Sequence, residues 1–200
     1  MSVSAAQIKE LREKTGAGIL DCREALESSA GDMDKAIELL REKGLAAAEK
    51  RAGRLTNAGV LDLYSHGEGR IGVMVEVNCE TDFVARTEEF RTFAHEIALQ
   101  IAANSPLFLS EEDVPEEVVS QEKETTRTFA LEEGKPEKVI DRIVEGKLEK
   151  YYEQSCLLRQ PYIRDDSMTV EELMKEMIST VGENISIRRF VRWTVGEGSD

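Results

Sequence analysis

Ile71-Gly72-Val73-Met74-Val75-Glu76-Val77-Asn78-Cys79-Glu80-Thr81-Asp82-Phe83-Val84-Ala85-Arg86 changes its periodicity partway along, and that change sets the fold class. Up to Val77 the apolar residues Ile71, Val73, Val75 and Val77 alternate, which is the period of a half-buried strand. Past Arg86, residues Phe90, Phe93, Ala94, Ile97, Ala98, Ile101 and Ala102 recur at three and four, giving one apolar helical stripe. That helix ends near Asn104, before Pro106. At the junction Thr81 or Asp82 can supply the helix cap. Phe83 directly behind the cap is less expected, because a first helical turn is usually exposed. An acid beside an aromatic on a tight junction predicts a projecting tip. Either Phe83 turns inward with Val84, or it is a probe that enters a pocket on another molecule.

On the N-terminal side of this stretch, Gly59–Ser65 and Arg70–Cys79 read as two strands. The short, glycine-containing His66-Gly67-Glu68-Gly69 joins them into a hairpin. Residues 46–58 are rich in Ala, Lys and Arg (Lys50, Arg51, Arg54) and read as a partly helical linker. Ahead of it, Ser4 with Gln7 forms a capping box that opens a helix through Ile8 and Leu11 to about Lys14. Thr15-Gly16-Ala17-Gly18 breaks it. A second helix carries Ile19, Leu20, Cys22, Ala25 and Leu26. Gly31 ends that segment, and Asp32 caps a third helix through Met33, Ala36, Ile37 and Leu40, stopped by Gly44. Residues 1–45 therefore form a three-helix module whose short connections pack neighbours together.

On the C-terminal side, Ser110-Glu111-Glu112-Asp113 is a helix start interrupted by Pro115, and any helix in 116–133 is expected on the surface. Pro136 suits the first turn of a longer helix burying Val139, Ile140, Ile143, Leu148, Tyr151, Tyr152 and Leu158, stopped at Gln160-Pro161. Thr169–Val181 reads as a helix and Ile185–Val195 as a closing strand. Strands that do not alternate regularly with helices place the chain in the α+β class: the helical module, the linker, then residues 59–200 as an antiparallel three-stranded sheet packed with helices.

With 200 residues, 40% of them hydrophobic, the chain has enough apolar material for a real core. A net charge of −14 repels phosphate backbones and argues against a nucleic-acid partner. No apolar run reaches the ~20 residues of a membrane helix. Met1-Ser2-Val3-Ser4 shows no secretory leader, and Cys22, Cys79 and Cys156, odd in number and far apart, fit reduced thiols in a cytoplasm.

Thr15-Gly16-Ala17-Gly18 lacks the glycine spacing, the preceding strand and the Lys-Ser/Thr of a phosphate loop, so no nucleotide cofactor is expected. The same turn presents Ile19 and Leu20 at an inter-helix corner, where an apolar patch can meet a partner. Adjacent helical residues point about 100° apart, so one of the pair is expected to pack inside. Lys9 and Arg12, three apart on the first helix, can face an acidic partner together. His66 in a turn and His95 on a polar helix side stand near no cysteine in sequence, and no His/Cys spacing fits a zinc site. Cys22 and Cys156 sit among apolar neighbours as packing residues. If the Asp82-Phe83 tip is a probe, the ring displaces packed side chains while the carboxylate disfavours phosphate and competes for a metal ion. Two other classes compete with this reading: an adaptor that needs only residues 1–45, and a thiol enzyme using one of the three cysteines.

Leu11-Arg12-Glu13-Lys14-Thr15-Gly16-Ala17-Gly18-Ile19-Leu20-Asp21-Cys22-Arg23-Glu24-Ala25-Leu26 and Asn78–Arg86 resemble the two signatures of bacterial elongation factor Ts. Gly31-Asp32-Met33-Asp34-Lys35-Ala36, Gly182-Glu183-Asn184-Ile185 and Arg188-Arg189-Phe190 resemble further segments of that family, in the family's order. The resemblance implies a non-enzymatic guanine-nucleotide exchange factor for elongation factor Tu, with a ubiquitin-associated-like N-terminal module that docks on the GTPase. Arg12, Ile19 and Leu20 match positions implicated in that docking, and Lys9 and Arg23 join them as partner-binding candidates. Thr81, Asp82, Phe83 and Val84 match the segment that inserts near the magnesium site and dislodges the ion. Ile19 and Leu20 stand where other members carry methionine, and Arg23 where lysine is common, so apolar and positive character is kept. The length resembles members with a single core subdomain, which implies a homodimer in place of the missing half.

Overall fold

The structure, a computed structural model, describes residues 3–197. Met1-Ser2, part of the segment read for a leader, lies outside the described residues. The helices are α1 (Ala5–Thr15), α2 (Ile19–Ser28), α3 (Met33–Arg51), α4 (Asp82–Ala85), α5 (Glu88–Asn104), α6 (Glu116–Glu132), α7 (Glu137–Ser155) and α8 (Val170–Val181). The strands are β1 (Ala58–His66), β2 (Ile71–Cys79), β3 (Pro161–Tyr162), β4 (Asp165–Thr169) and β5 (Ile185–Thr194). β1, β2 and β5 form, in that order, an antiparallel three-stranded sheet packed with helices, and β3 pairs with β4. The class is α+β, as expected. The chain divides into two compact units: one holds residues up to Val60, Val77–Phe93 and Glu172–Ser186, the other Leu61–Glu76, Ala94–Glu171 and the chain from Ile187 onward.

In the first unit, the Ser4 side chain accepts from the Gln7 amide while the Gln7 side chain accepts from the Ser4 amide, the reciprocal cap its sequence predicts. Leu11, Cys22, Ala25, Leu26, Ala36 and Leu40 close a small core between α1, α2 and α3, with Ile8, Met33 and Ile37 around it. α3 does not stop at Gly44; it continues to Arg51. A mid-helix glycine costs only about 1 kcal/mol, and the Leu45–Ala48 run that follows is strongly helix-forming. Tertiary contact explains the glycine: a Cβ at Gly44 would sit 2.9 Å from the Ser179 Oγ of α8. Arg41 reaches Glu172 at 3.4 Å and Glu176 at 3.5 Å beside this close approach. Gly59 has a comparable reason, since a Cβ there would collide with the Val77 carbonyl oxygen.

In the second unit, α6 and α7 pair around Ala130, Ile140 and Val144, with Ile143 against them. The expected α7 stripe is corrected in part: Val144 is buried and Val139 is exposed. Leu148, Tyr151, Tyr152 and Leu158 are half-buried, and the helix ends at Ser155 rather than at Gln160. The β3–β4 hairpin, absent from the sequence reading, is seated by two buried amides. Gln100 Nε2 donates to Gln160 Oε1 and to the Pro161 carbonyl, each at 3.1 Å, and Gln100 Oε1 accepts from the Ile163 amide at 2.9 Å. Gln160 Nε2 donates to the carbonyls of Gln154 and Asn104. Every polar atom of this pair has a partner, which is what makes burying it tolerable.

Candidate functional site

β2 delivers the chain to the tip, and Thr81 turns it into α4. Thr81 is extended, and its side chain accepts from the Val84 amide at 3.4 Å, so the cap assigned from sequence to Thr81 or Asp82 falls to Thr81. Ala85 is buried and Val84 half-buried, which anchors one side of the short turn. Phe83 is 79% exposed. Of the two orientations left open by the sequence, the ring takes the outward one. An exposed ring leaves about 1.5–3 kcal/mol of burial energy unclaimed within the chain. Asp82 is exposed too, with its carboxylate 2.8 Å from Arg86.

Behind the tip lies a set of groups that the sequence reading did not assign to it. Thr81 donates its amide to Glu183 Oε2 at 3.0 Å and its hydroxyl to Glu183 Oε1 at 2.6 Å. The Asn184 amide donates to Glu80 Oε1 at 2.6 Å. The buried Asn184 side chain donates to the carbonyls of Ala52 and Arg54, and Arg54 also reaches Glu80 at 3.3 Å. The Asn184 amide first, and the Arg54 charge after it, hold the Glu80 carboxyl below the usual glutamate range. Glu183 and Asn184 lie 102 to 132 residues from these partners in the chain, beyond any local pattern; only the Gly182-Glu183-Asn184 segment, noted for its resemblance, pointed at them.

On the helical module, Ile19 is 58% and Leu20 79% exposed. The expectation that one of them packs inside is corrected: the α2 core positions are Cys22, Ala25 and Leu26, and the first turn of α2 projects beyond them. Lys9 and Arg12 are exposed on α1, Lys9 lying 3.6 Å from Glu13. Arg23 is exposed on α2 and bonded to Glu27 at 2.8 Å. The Asp82-Phe83 tip and the Ile19-Leu20 corner both belong to the first unit.

The thiols are poorly suited to nucleophilic work. All three are free and buried. Burial, followed by the charge of Glu183, raises the Cys79 thiol, and burial pushes the Cys156 thiol up to about 11. Each histidine has another partner: His95 bonds to Asp62 at 3.0 Å and His66 to the Tyr64 hydroxyl at 2.9 Å. Among the described residues no group of three His, Cys, Asp or Glu side chains could hold a metal ion, and no helix is long and apolar enough to cross a membrane.

The fold defines an α+β protein with a helical N-terminal part and an exposed aromatic on a hydrogen-bonded turn. A profile of the family described as Elongation factor TS matches residues 5–197. Elongation factor Ts of Caldanaerobacter subterraneus subsp. tengcongensis is 62% identical over 196 residues, covering 98% of each chain. That of Thermoanaerobacter sp. strain X514 is 59% identical, covering 98% of this chain and 96% of its own. That of Coprothermobacter proteolyticus is 57% identical over 197 residues, covering 98% and 100%. The chain belongs to the elongation factor Ts family.

Proposed function

We propose that this protein is a guanine-nucleotide exchange factor for elongation factor Tu in the cytoplasm, acting without covalent chemistry and without a cofactor of its own. Family membership supports the class, and the outward Phe83 is the observation that carries the mechanism. In this reading residues 1–45 are a ubiquitin-associated-like docking module that meets the GTPase through Lys9, Arg12, Ile19, Leu20 and Arg23. Thr81, Asp82, Phe83 and Val84 enter beside the magnesium site. The ring displaces packed side chains, and the Asp82 carboxylate, drawn off Arg86, competes for the cation and disfavours the β-phosphate. Magnesium leaves, GDP is held less tightly, and GTP refills the site and expels the factor. By linkage, the factor by which this protein weakens GDP binding is the factor by which GDP weakens binding of this protein. The acidic surface matches a partner that is protein and not nucleic acid.

The test is stopped-flow release of fluorescent GDP from elongation factor Tu. Wild type accelerates release, and Phe83→Ala, folded as wild type, loses most of the acceleration. Undiminished exchange by that variant would remove the wedge from the mechanism.

The partner set includes a second copy of this chain. In the second unit the sheet leaves Leu61, Leu63, Met74 and Trp193 exposed, Trp193 to 74%, with half-buried Val191 lining a hollow of about 280 Å³ beside it. Glu76 lies on the same face, 2.7 Å from Arg189, so the patch carries both signs of charge. A two-fold interface requires that kind of self-complementarity. Sedimentation should show a dimer for the wild type and a monomer for Trp193→Asp; a wild-type monomer at every concentration removes this copy from the partner set.

A further inference from the structure

The turn that carries Asp82 and Phe83 is anchored on one side by buried Ala85 and half-buried Val84. α4 spans only Asp82–Ala85, and Ala85 is its only buried residue. Phe83 and Asp82 project outward, so their direction follows the orientation of the turn, which begins at Thr81. Thr81 is fixed from outside the segment. Both Glu183 oxygens are engaged by this one residue, the amide at 3.0 Å and the hydroxyl at 2.6 Å. Because the hydroxyl proton goes to Glu183, the hydroxyl lone pair is directed to the Val84 amide. The charge-assisted bond thus sets both the position of the cap residue and the rotamer that caps α4.

The grip is reciprocal. Glu183 takes two donors from Thr81, and the next residue, Asn184, gives its amide to Glu80, the residue before Thr81. Gly182 allows this arrangement. It closes α8 with a left-handed backbone, φ 75°, and its amide returns to the Ile178 carbonyl, so the two following residues face the junction.

We propose that Glu183 is a positioning residue for nucleotide exchange: it aims the Phe83 ring and the Asp82 carboxylate without touching the partner's nucleotide site. This rests on the exchange-factor reading above. Loss of the grip leaves the tip present but loosely aimed. Binding through the helical module continues, while the step that opens the magnesium site slows.

The experiment compares wild type, Glu183→Ala and Glu183→Gln in two measurements. The first is GDP release from elongation factor Tu as a function of factor concentration. Glu183→Ala should lower the maximal release rate by roughly tenfold or more, since misaiming of about 1 Å is costly, with the half-saturating concentration changed less than about threefold. Glu183→Gln keeps one acceptor and should recover part of the rate. The second measurement is hydrogen exchange at the Thr81 amide in the free protein, which needs no partner. Glu183→Ala should expose that amide, with the unfolding midpoint close to wild type. An unchanged maximal rate, an unchanged Thr81 amide, or a defect confined to half-saturation each overturns the inference. If wild type itself does not accelerate release, the exchange reading falls and takes the inference with it, whatever the Thr81 amide does.

Discussion

The side-chain amide of Asn184 donates to the Arg54 carbonyl oxygen at 2.8 Å. A second bond runs to the Ala52 carbonyl at 3.2 Å, so one buried side chain ties the segment that leaves α3 to the turn that opens β5. Asn184→Ala removes both bonds, while the exposed backbone at Ala52 and Arg54 can take up water. The expected loss is about 1–2 kcal/mol, read as a lower urea midpoint. Asn184→Asp, similar in shape but without the donor, should lose at least as much. An unaltered midpoint in both would mean that these bonds contribute nothing net.

Ile19 and Leu20 are already in water, so removing their side chains should leave stability within about 0.5 kcal/mol. Under the docking role proposed above, their effect belongs in the complex. Leu20→Ala is expected to weaken binding to nucleotide-free elongation factor Tu by about 1–2 kcal/mol, and Arg12→Ala by a similar amount. Calorimetry of each variant checks this. Equal affinities with and without these side chains would move the docking surface off the α1–α2 corner.

Glu80 gives a pH signature. Its carboxyl is held below the usual glutamate range by the Asn184 amide and the Arg54 charge. A lowered folded value means that the unfolded chain takes up the proton first. The stabilisation is therefore complete above the ordinary glutamate value, about 4.3, and is lost as pH falls through the lower folded value. The stability gap between wild type and Glu80→Gln should be level from neutral pH down to about 5.5 and should close below that ordinary value. Urea midpoints measured across this range test the sign; a gap that widens in acid contradicts it.

Gly59 and Gly69 both have positive φ, yet they should respond differently to alanine. At Gly69 nothing lies within 4 Å of an added Cβ, so only the backbone strain of about 1–2 kcal/mol applies. At Gly59 the Cβ would strike the Val77 carbonyl and come within 2.8 Å of the Asn78 Cα, which are backbone and cannot swing aside. Gly59→Ala should therefore cost at least about 2 kcal/mol more than Gly69→Ala. Thermal unfolding of the two variants side by side decides it.

What the sequence revealed follows the range of the interactions. The Ser4–Gln7 cap, the hairpin at Gly67-Glu68-Gly69 and the stripe from Phe90 to Ala102 are local and periodic, and each was legible. So was the tip, because Phe83 breaks the expected pattern of a first helical turn. Gly44 misled because its cause, Ser179, lies 135 positions away. The β3–β4 hairpin was missed because strands this short carry no periodicity, and their seating depends on Gln100, a polar residue buried on α5 among Ile97 and Ile101. Glu183 went unassigned for the same reason: a lone glutamate among forty acidic residues looks like solvated surface until its partner is seen.

The interlocked Gln100 and Gln160 side chains also select one register for the β3–β4 hairpin. An apolar contact in their place would tolerate small slips of the hairpin. Two amides with every donor and acceptor committed do not, since a one-residue offset strands several of those atoms away from water at about 1–3 kcal/mol apiece. Near-miss arrangements of this segment are thereby sparsely populated, and the hairpin settles into one seat or none.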